Sequence, residues 1–536
     1  MEAIEYLFKH QFSIKRFMLV IGLSIGILFL SCRNQEQQKP NILFILADDM
    51  GWQDTSVPFG PEITHFNKRF KTPALKRLAS EGVKFTNAYS CAVCSPTRVS
   101  LMTGLNEATH GVTQWTYLSG DKPSSDIGHP TLSFANWNWN GLQPEPGMNN
   151  AISTQTLPEV MKKAGYRTLL FGKGHLGAAG TPGADPQNFA FDIRIGGRDA
   201  GGCDSYYGKE NFGARAHPEG PWRAWDMDKY FSQDIHLTEA LTLEAKREIR
   251  SAVKDGQPFF CYFAHYAPHT PIDPDERFAP AYRSAGLDAT EAAYASLIEG
   301  MDKSVGDLLT LLSELGIAEN TLVVFTSDNG AVSHNYRSMS PPHTHNKPLS
   351  SGKGAHHEGG IRVPLIVRWP GKSTPGTVID IPVMIYDWYP TLLEAAGVDD
   401  VPENIDGLSV KPLLENNAPT QFNRPLVWHF PNFWGPLQSP EPIKGPGMGP
   451  CSTIRQGDWK LIYYHTDQSF ELFNLKNDLG EKNNLVEENP EKLKELAGDI
   501  TKYLKKRNAP MPQIKETNKK VPYPAEITGN NQEFKK

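Results

Sequence analysis

Residues able to do chemistry recur in this chain as short polar clusters that close apolar runs. The densest is Cys94-Ser95-Pro96-Thr97-Arg98, followed by Val99, Leu101, Met102 and then Gly104. A small polar residue, then Pro, then an apolar-spaced run is how a helix begins, with Ser95 as its cap. Cys94 is then expected just outside a helix N-terminus, where unpaired N–H groups and the helix dipole favour an anion. The same position lowers a thiol's pKa and suits a nucleophile. Arg98, one turn on, is in reach of an oxygen at position 94. The residues also read as a buried packing cysteine or, with Cys91, as a CxxC redox pair or half a zinc site. The chain holds no second CxxC.

The other clusters are of the same kind. Asp48-Asp49 ends the run NILFILA and reads as a solvated turn or as half a metal site. Lys173 and His175 lie among Gly172, Gly174 and Gly177, either as surface residues or in a loop shaped around an anion. His269 is held rigidly between Pro268 and Pro271, and Asp328-Asn329 follows TLVVF. Lys353 stands between Gly352 and Gly354. Asp48, Asp49, Asp328 and Asn329 offer hard oxygens with no imidazole in ligand spacing, which selects Ca²⁺, or Mg²⁺ after it, over Zn²⁺.

For these clusters to act together, the elements carrying them must converge. Asn41 to Ala47, Arg167 to Phe171, Pro258 to Ala264 and Thr321 to Phe325 are continuous apolar runs, as in strands buried on both faces. Helical spacing separates them, so the expected fold is α/β, a mostly parallel central sheet sandwiched by helices. Ligands of such sheets gather at the carboxyl ends of the strands, where all of these clusters lie. From about Pro419 short β-like runs and one helix replace this pattern. The expected organisation is a catalytic domain over 40–418, a smaller antiparallel subdomain over 419–508 and a frayed polar tail over 509–536. Trp115, Tyr117, Trp137 and Trp139 fall in a Pro-, Gly- and Asn-rich stretch read as loop, suited to sugar stacking or to packing on itself.

The 536 residues are 39% hydrophobic and 21% charged, an ordinary globular composition. A net charge of −6 and the lack of a basic stripe give no nucleic-acid footprint. Lys9, Lys15 and Arg16 precede an apolar run from Phe17 to Leu30, short for a membrane span and suited to a signal peptide over 1–32. Leu30-Ser31-Cys32 resembles the end of a bacterial lipoprotein signal, with Cys32 lipidated and the protein exported and membrane-anchored. An ordinary secretory signal cleaved nearby is the other reading. The remaining cysteines, Cys91, Cys203, Cys261 and Cys451, form no spacing framework for disulfides.

Cys94-x-Pro96-x-Arg98 with Gly104 resembles the signature of the type I sulfatases of the alkaline phosphatase superfamily. Pro268-His269-Thr270-Pro271 is similar to that family's Pro-His-x-Pro element. Lys353-Gly354, Glu358-Gly359-Gly360 and Arg362-Val363-Pro364 are similar to a second, in family order. The family usually has Trp where Gly174 stands, and Asn329 stands where related zinc phosphatases often have His.

The resemblance implies hydrolysis of a sulfate ester. Cys94 would be oxidised to formylglycine (3-oxoalanine) by a sulfatase-maturing enzyme, and its hydrate would be the nucleophile. One Ca²⁺ would be held by Asp48, Asp49, Asp328, Asn329 and an oxygen of the modified residue 94. Lys173, Lys353 and Arg98 would hold and activate the sulfate, His269 would protonate the leaving oxygen and His175 would release sulfate. With export, the expected substrate is a sulfated carbohydrate, with His356, His357 and His429 as its sugar subsite. A phosphomonoester or diester hydrolase of the superfamily, and a glycan-binding lipoprotein without turnover, are the alternatives.

Overall fold

The computed structural model describes residues 39–117, 129–133, 135–218, 220–332, 346–398, 401–402, 404–417, 420–433 and 448–529. Cys32 and the expected signal peptide lie outside the described residues. In chain order the strands are β1 (Asn41–Ala47), β2 (Val83–Tyr89), β3 (Leu132–Ser133), β4 (Arg167–Gly172) and β5 (Ile193–Gly196). Then come β6 (Phe259–Ala264), β7 (Thr321–Ser327), β8 (Arg362–Arg368), β9 (Thr377–Ile379) and β10 (Val383–Met384). The C-terminal region adds β11 (Leu426–Phe430), β12 (Cys451–Gln456), β13 (Trp459–Tyr464), β14 (Phe470–Asn474), β15 (Gln513–Ile514) and β16 (Lys519–Lys520).

The large sheet runs β10-β2-β8-β7-β1-β6-β4-β5, with β9 also pairing β2. Its pairs are parallel except the two made by β8. Ala47 is level with Ser327, Leu46 with Ala264 and Ala264 with Gly172, so β7, β1, β6 and β4 end at one edge. The four apolar runs that close in polar clusters are therefore adjacent strands.

Both faces of the sheet are covered. Ile42, Phe44 and Leu46 of β1 join one core with Val99, Leu101, Met161 and Leu392, from helices Cys94–Thr103, Leu157–Lys163 and Trp388–Ala395. Leu43, Ile45 and Ala47 point the other way, to Leu78, Leu241 and Leu308 of helices Pro73–Glu81, Leu237–Lys254 and Ala289–Glu314. Each large side chain so buried contributes about 1.5–3 kcal/mol, which is why the strand tolerates no polar residue until its end. The last of these helices begins seven residues before the apolar spacing at Ser296 announces it. Asp288 caps it by accepting from Glu291 N–H at 3.0 Å, and its first turns are rich in alanine.

In the C-terminal region β11-β12-β13-β14 form an antiparallel sheet, and helix Pro490–Lys506 closes a third core over it with Leu493, Leu496, Ile500 and Leu504. From Asn41 onward the chain is one unit, so this sheet is built onto the catalytic part. The stretch read as a frayed tail is ordered through Thr528. β15 pairs with β3 and β16, and Met511, Val521 and Ile527 pack on the third core. Those few apolar residues in a polar run suffice because the groove they fill already exists. Trp137 and Trp139 are buried in the first core and offer no face to a ligand. Among the described residues no helix is long and apolar enough to cross a membrane.

Candidate active site

The edge shared by β7, β1, β6 and β4 carries a dense charge cluster. Lys173 Nζ lies 2.9 and 2.8 Å from the two carboxylate oxygens of Asp48. Lys353 Nζ donates to Asp49 Oδ1 at 2.5 Å, and Asn329 Nδ2 donates to the same oxygen at 2.8 Å. Arg98 donates from Nε (3.2 Å) and Nη2 (2.7 Å) to Asp328 Oδ2, and its Nη2 is 3.7 Å from Asp48 Oδ1. Asp49 N–H donates to Asp328 Oδ1 at 3.1 Å, locking two strand ends together. All of these side chains are buried.

Three carboxylates and three cations leave the cluster formally neutral. Burial pushes Asp49 and Asp328 up, but Lys353 and Lys173 around the first, and Arg98 and Lys173 around the second, hold both below the usual carboxylate range. Asp48, buried and facing Asp328, is held well above it. Asp49 and His175 adopt left-handed backbone, φ 65° and 55°. Such strain costs about 1–3 kcal/mol per residue. It turns each side chain sharply off its strand.

Cys94 sits in the middle of this cluster, its Sγ 3.9 Å from Asp48 Oδ1. The helix starts two residues earlier than expected, with Val93 as N-cap and Cys94 in the first turn. Ser95 is not the cap: its Oγ accepts from Thr116 N–H at 3.0 Å. The helix closes where expected, at Gly104 (φ 71°), whose N–H donates to Ser100 O. The thiol pKa also departs from expectation. Burial pushes it above the ordinary range, and the opposing pull of Lys173 and Lys353 does not overcome that. The first turn of the helix therefore does not give Cys94 the lowered thiol pKa that its position in the sequence suggested.

The two histidines frame the cluster. His175 Nε2 faces the Thr116 carbonyl at 2.8 Å, and its Nδ1 is buried with no hydrogen-bond partner among the described residues. Burial, then Lys173, holds this ring well below the ordinary histidine range. His269 Nδ1 faces the Thr270 carbonyl at 2.7 Å, and Nε2 lies 3.7 Å from Asp49 Oδ2. A carbonyl only accepts, so the protonated nitrogens are Nε2 of His175 and Nδ1 of His269. That leaves His175 Nδ1 and His269 Nε2 as the nitrogens with lone pairs.

A family model described as sulfatase matches residues 40–398, more than half the chain. This chain belongs to the sulfatase family. A second description, the C-terminal region of N-sulphoglucosamine sulphohydrolase, matches residues 352–509 of the sulfatase. A sulfatase of Formosa agariphila is 31% identical, over 95% of this chain and 96% of its own. Human (Homo sapiens) N-acetylgalactosamine-6-sulfatase is 32% identical, over 73% of this chain and 68% of its own. The crystal structure of Ps i-CgsB in complex with k-i-k-neocarrahexaose superposes with a TM-score of 0.67. It is 27% identical and covers 87% of this chain and 93% of that one. The protein is accordingly a sulfuric ester hydrolase on an alkaline phosphatase-like fold.

The residues of this sulfatase fit a hard cation. Asp49 Oδ2 and Asn329 Oδ1 are buried acceptors with no hydrogen-bond partner among the described residues. Asp48, Asp49, Cys94 and His269 each bring one ligand atom within 4.8 Å of the others. An imidazole therefore does enter the cluster, contrary to what residue spacing suggested, because β6 lies beside β1. Oxygen still dominates the donor set.

The sugar subsite expected at His356, His357 and His429 is not where the fold puts those residues. All three are buried, His356 and His357 between the catalytic part and the antiparallel sheet and His429 on the sheet's other face, beside the third core. His357 bonds Ser350 Oγ and Glu471 Oε2, and His429 bonds Ser452 Oγ and the Pro510 carbonyl. His356 Nδ1 meets Thr453 Oγ1 at 2.9 Å. The rings of His356 and His357 point into the seam, and that of His429 points away from it. Lys460, in β13, pairs across the same seam with Glu358 (2.9 Å) and within its own region with Glu481 (2.8 Å).

Sequence reasoning passed over several residues that shape the site of the sulfatase. Thr97 Oγ1 donates to the Asp328 carbonyl (2.6 Å), Tyr206 OH donates to the His269 carbonyl (2.9 Å), and the Thr116 carbonyl sets the His175 tautomer. Gly174 has a local reason. A Cβ there would come within 2.6 Å of the Arg198 carbonyl and 2.7 Å of Pro186. The segment after β5 occupies the space a larger residue would need. The glycine pairs Gly196-Gly197 and Gly201-Gly202 were the available signal of that close approach.

Proposed function

We propose that this sulfatase hydrolyses a sulfate ester of a carbohydrate with formylglycine at position 94 as nucleophile and one Ca²⁺ in the site. The observation that carries the reading is the setting of Cys94, buried against Asp48 with its thiol pushed up, in a cluster whose cations suit an oxyanion. A buried cysteine whose thiol is pushed up is a poor thiolate nucleophile, and conversion to an aldehyde gives it a role, since the hydrate needs no thiolate. The orphaned oxygens of Asp49 and Asn329, with Asp48, Asp328 and His269 nearby, would hold the ion. Bound Ca²⁺ would supply Lewis-acid charge for the sulfate oxygens and the attacking oxygen.

Lys173 and Lys353 then neutralise the non-bridging sulfate oxygens as charge builds on them. Arg98 fixes Asp328 and the first turn of the Cys94 helix, so that position 94 is aligned with the sulfur. One hydroxyl of the hydrate passes its proton to Asp48, the carboxylate beside position 94, and attacks sulfur while the bond from sulfur to the alcohol oxygen breaks. His269, entering the step as an imidazolium protonated at Nε2 as well as at Nδ1, gives its Nε2 proton to that oxygen. His175 Nδ1 then takes the proton of the second hydroxyl, the bond from carbon to the sulfated oxygen breaks, and sulfate leaves as the aldehyde reforms. Water rehydrates it. The relatives that act on sugars, by their names, support a carbohydrate substrate, and the lipoprotein-like N-terminus supports an exported, anchored protein.

Mass spectrometry of the peptide around position 94, from cells that mature sulfatases, is expected to show the aldehyde. Cys94→Ala is expected to abolish turnover of aryl sulfate while leaving the melting curve intact. Full activity with an unmodified thiol would overturn the formylglycine assignment. A phosphate analogue hydrolysed faster than its sulfate ester would overturn the substrate class. Retention of Cys32→Ser in the membrane fraction would overturn the lipid anchor.

A further inference from the structure

Between β5 and the Leu237–Lys254 helix the chain lies against both active-site histidines. His175 N–H donates to the Arg198 carbonyl at 2.6 Å. A Cβ on Gly201 would come within 2.8 Å of the His175 ring, and one on Gly202 within 3.2 Å of the His269 ring. Arg198 opens this strap, and its guanidinium lies over the Trp225 indole, 4.6 Å from the ring centroid. The Arg223 guanidinium lies over the same indole at 3.8 Å. Trp225 is anchored to the start of the strap by two main-chain hydrogen bonds with Gly196, at 2.8 and 3.0 Å.

Two cations thus share one aromatic ring. The ring's quadrupole attracts each of them, but their mutual repulsion and their donors still call for an anion. Arg198 Nε, Arg223 Nε and Trp225 Nε1 are buried with no acceptor among the described residues. Asp185, 3.6 Å from Arg198 Nη2, is shared with Arg194 Nε at 3.2 Å, and no ion pair to Arg223 occurs among the described residues. A pair of guanidinium forks matches the planar oxygens of a carboxylate or the tetrahedral oxygens of a sulfate.

The neighbouring residues lead back to the site. Trp222 donates Nε1–H to Tyr117 OH at 3.2 Å, and the two rings lie 5.4 Å apart, tilted by 37°. Both rings are half-buried, and Tyr117 directly follows Thr116, whose carbonyl holds His175. The Tyr117–Trp222 pair thus joins two chain segments, one next to the Thr116 carbonyl on His175 and the other next to Arg223. Such aromatic surface takes the apolar face of a sugar, while its edges hydrogen-bond hydroxyls.

We propose that Arg198 and Arg223 form a second anion site, with Tyr117 and Trp222 as the stacking surface beside it. Its ligand is a sulfate or carboxylate carried by the saccharide in addition to the ester being cleaved. The inference rests on the carbohydrate sulfatase reading above and narrows it to multiply anionic saccharides.

The test measures kcat and KM of the matured full-length enzyme, Arg198→Gln and Arg223→Gln on four compounds. These are an aryl sulfate, a monosulfated neutral disaccharide, that disaccharide with a second sulfate, and a monosulfated disaccharide containing a uronic acid. The wild type is expected to prefer at least one dianionic disaccharide over the neutral one by about tenfold or more in kcat/KM. Each variant is expected to lose that preference through KM, while the aryl sulfate changes by less than about twofold. Which dianionic compound is preferred identifies the anion. A preference that survives both substitutions, an equal loss on all four compounds, or a wild type without preference overturns the second site alone. A wild type that hydrolyses none of the four overturns the parent reading together with it.

Discussion

His175 turns its Nε2 to the main-chain carbonyl of Thr116 at 2.8 Å, across a sequence separation of 59 residues. That single contact decides which nitrogen can accept a proton, because the carbonyl requires N–H at Nε2. The ring stays neutral well below the ordinary histidine pKa, through burial and then Lys173.

Loss of this base is expected to block the second half of the reaction. His175→Ala should lower steady-state turnover by about 10²–10⁴. It should still release one equivalent of alcohol in a rapid burst, with sulfate retained on the peptide containing position 94. The acid limb of the wild-type profile for sulfate release should fall well below pH 6.5, since the folded ring resists protonation. A His175→Ala enzyme with normal turnover, or one with no burst, would remove the proposed role.

The orphaned oxygens of Asp49 and Asn329 make metal loading measurable apart from catalysis. Chelation should lower both activity and melting temperature, and Ca²⁺ at a hundred times its Kd should restore about 2.7 kcal/mol of stability. Asn329→Ala should raise the Ca²⁺ concentration needed for the melting shift by about tenfold. Rescue by Zn²⁺ but not Ca²⁺ would contradict the assignment.

Lys460 spans the seam between the antiparallel sheet and the catalytic part, paired to Glu358 and Glu481 with no exposure of any of the three side chains. Lys460→Ala strips Glu481 of its buried ammonium and leaves Glu358 with Arg362 alone, at 3.1 Å, and should cost about 3–5 kcal/mol. Urea denaturation measures this. The double variant replacing Glu481 as well should recover part of the loss, since it removes the stranded charge.

Acid sensitivity should also arise on the far face of the antiparallel sheet. Burial holds His429 down to about 4, against an ordinary value near 6.5. Above pH 6.5 neither state binds the proton, and the fold keeps its full stability. As pH falls from 6.5 toward 4 the unfolded chain takes up a proton that the folded chain refuses. Stability then drops by up to about 3 kcal/mol for this group. His110 (about 3), His236 (about 4) and His265 (about 3) act with the same sign. Urea midpoints between pH 7.5 and 4.5 should fall, with a shallower slope in His429→Gln. An unchanged slope would show that His429 is not a source of the effect.

The amino-acid sequence by itself determined where strands end and what chemistry stands there. NILFILA, TLVVF and the run into Ala264 are apolar because both sheet faces are covered, and Asp48, Asp328 and His269 follow where that cover stops. Cys94, Pro96 and Arg98 were legible for the same local reason, a helix start whose first turn holds reactive groups. Only the tertiary structure decided which atoms meet. Strand order β7-β1-β6-β4 sets Asp49 against Asn329 and His269 against Asp49, pairings 280 and 220 residues apart that local spacing does not encode. It also turned His356, His357 and His429 inward, made Ser95 a partner of Thr116, and laid Arg198 to Gly202 over the histidines. Periodicity reports whether a side chain faces apolar cover. Its hydrogen-bond partner is set by whichever strand or loop packs alongside, and that is a property of the folded chain.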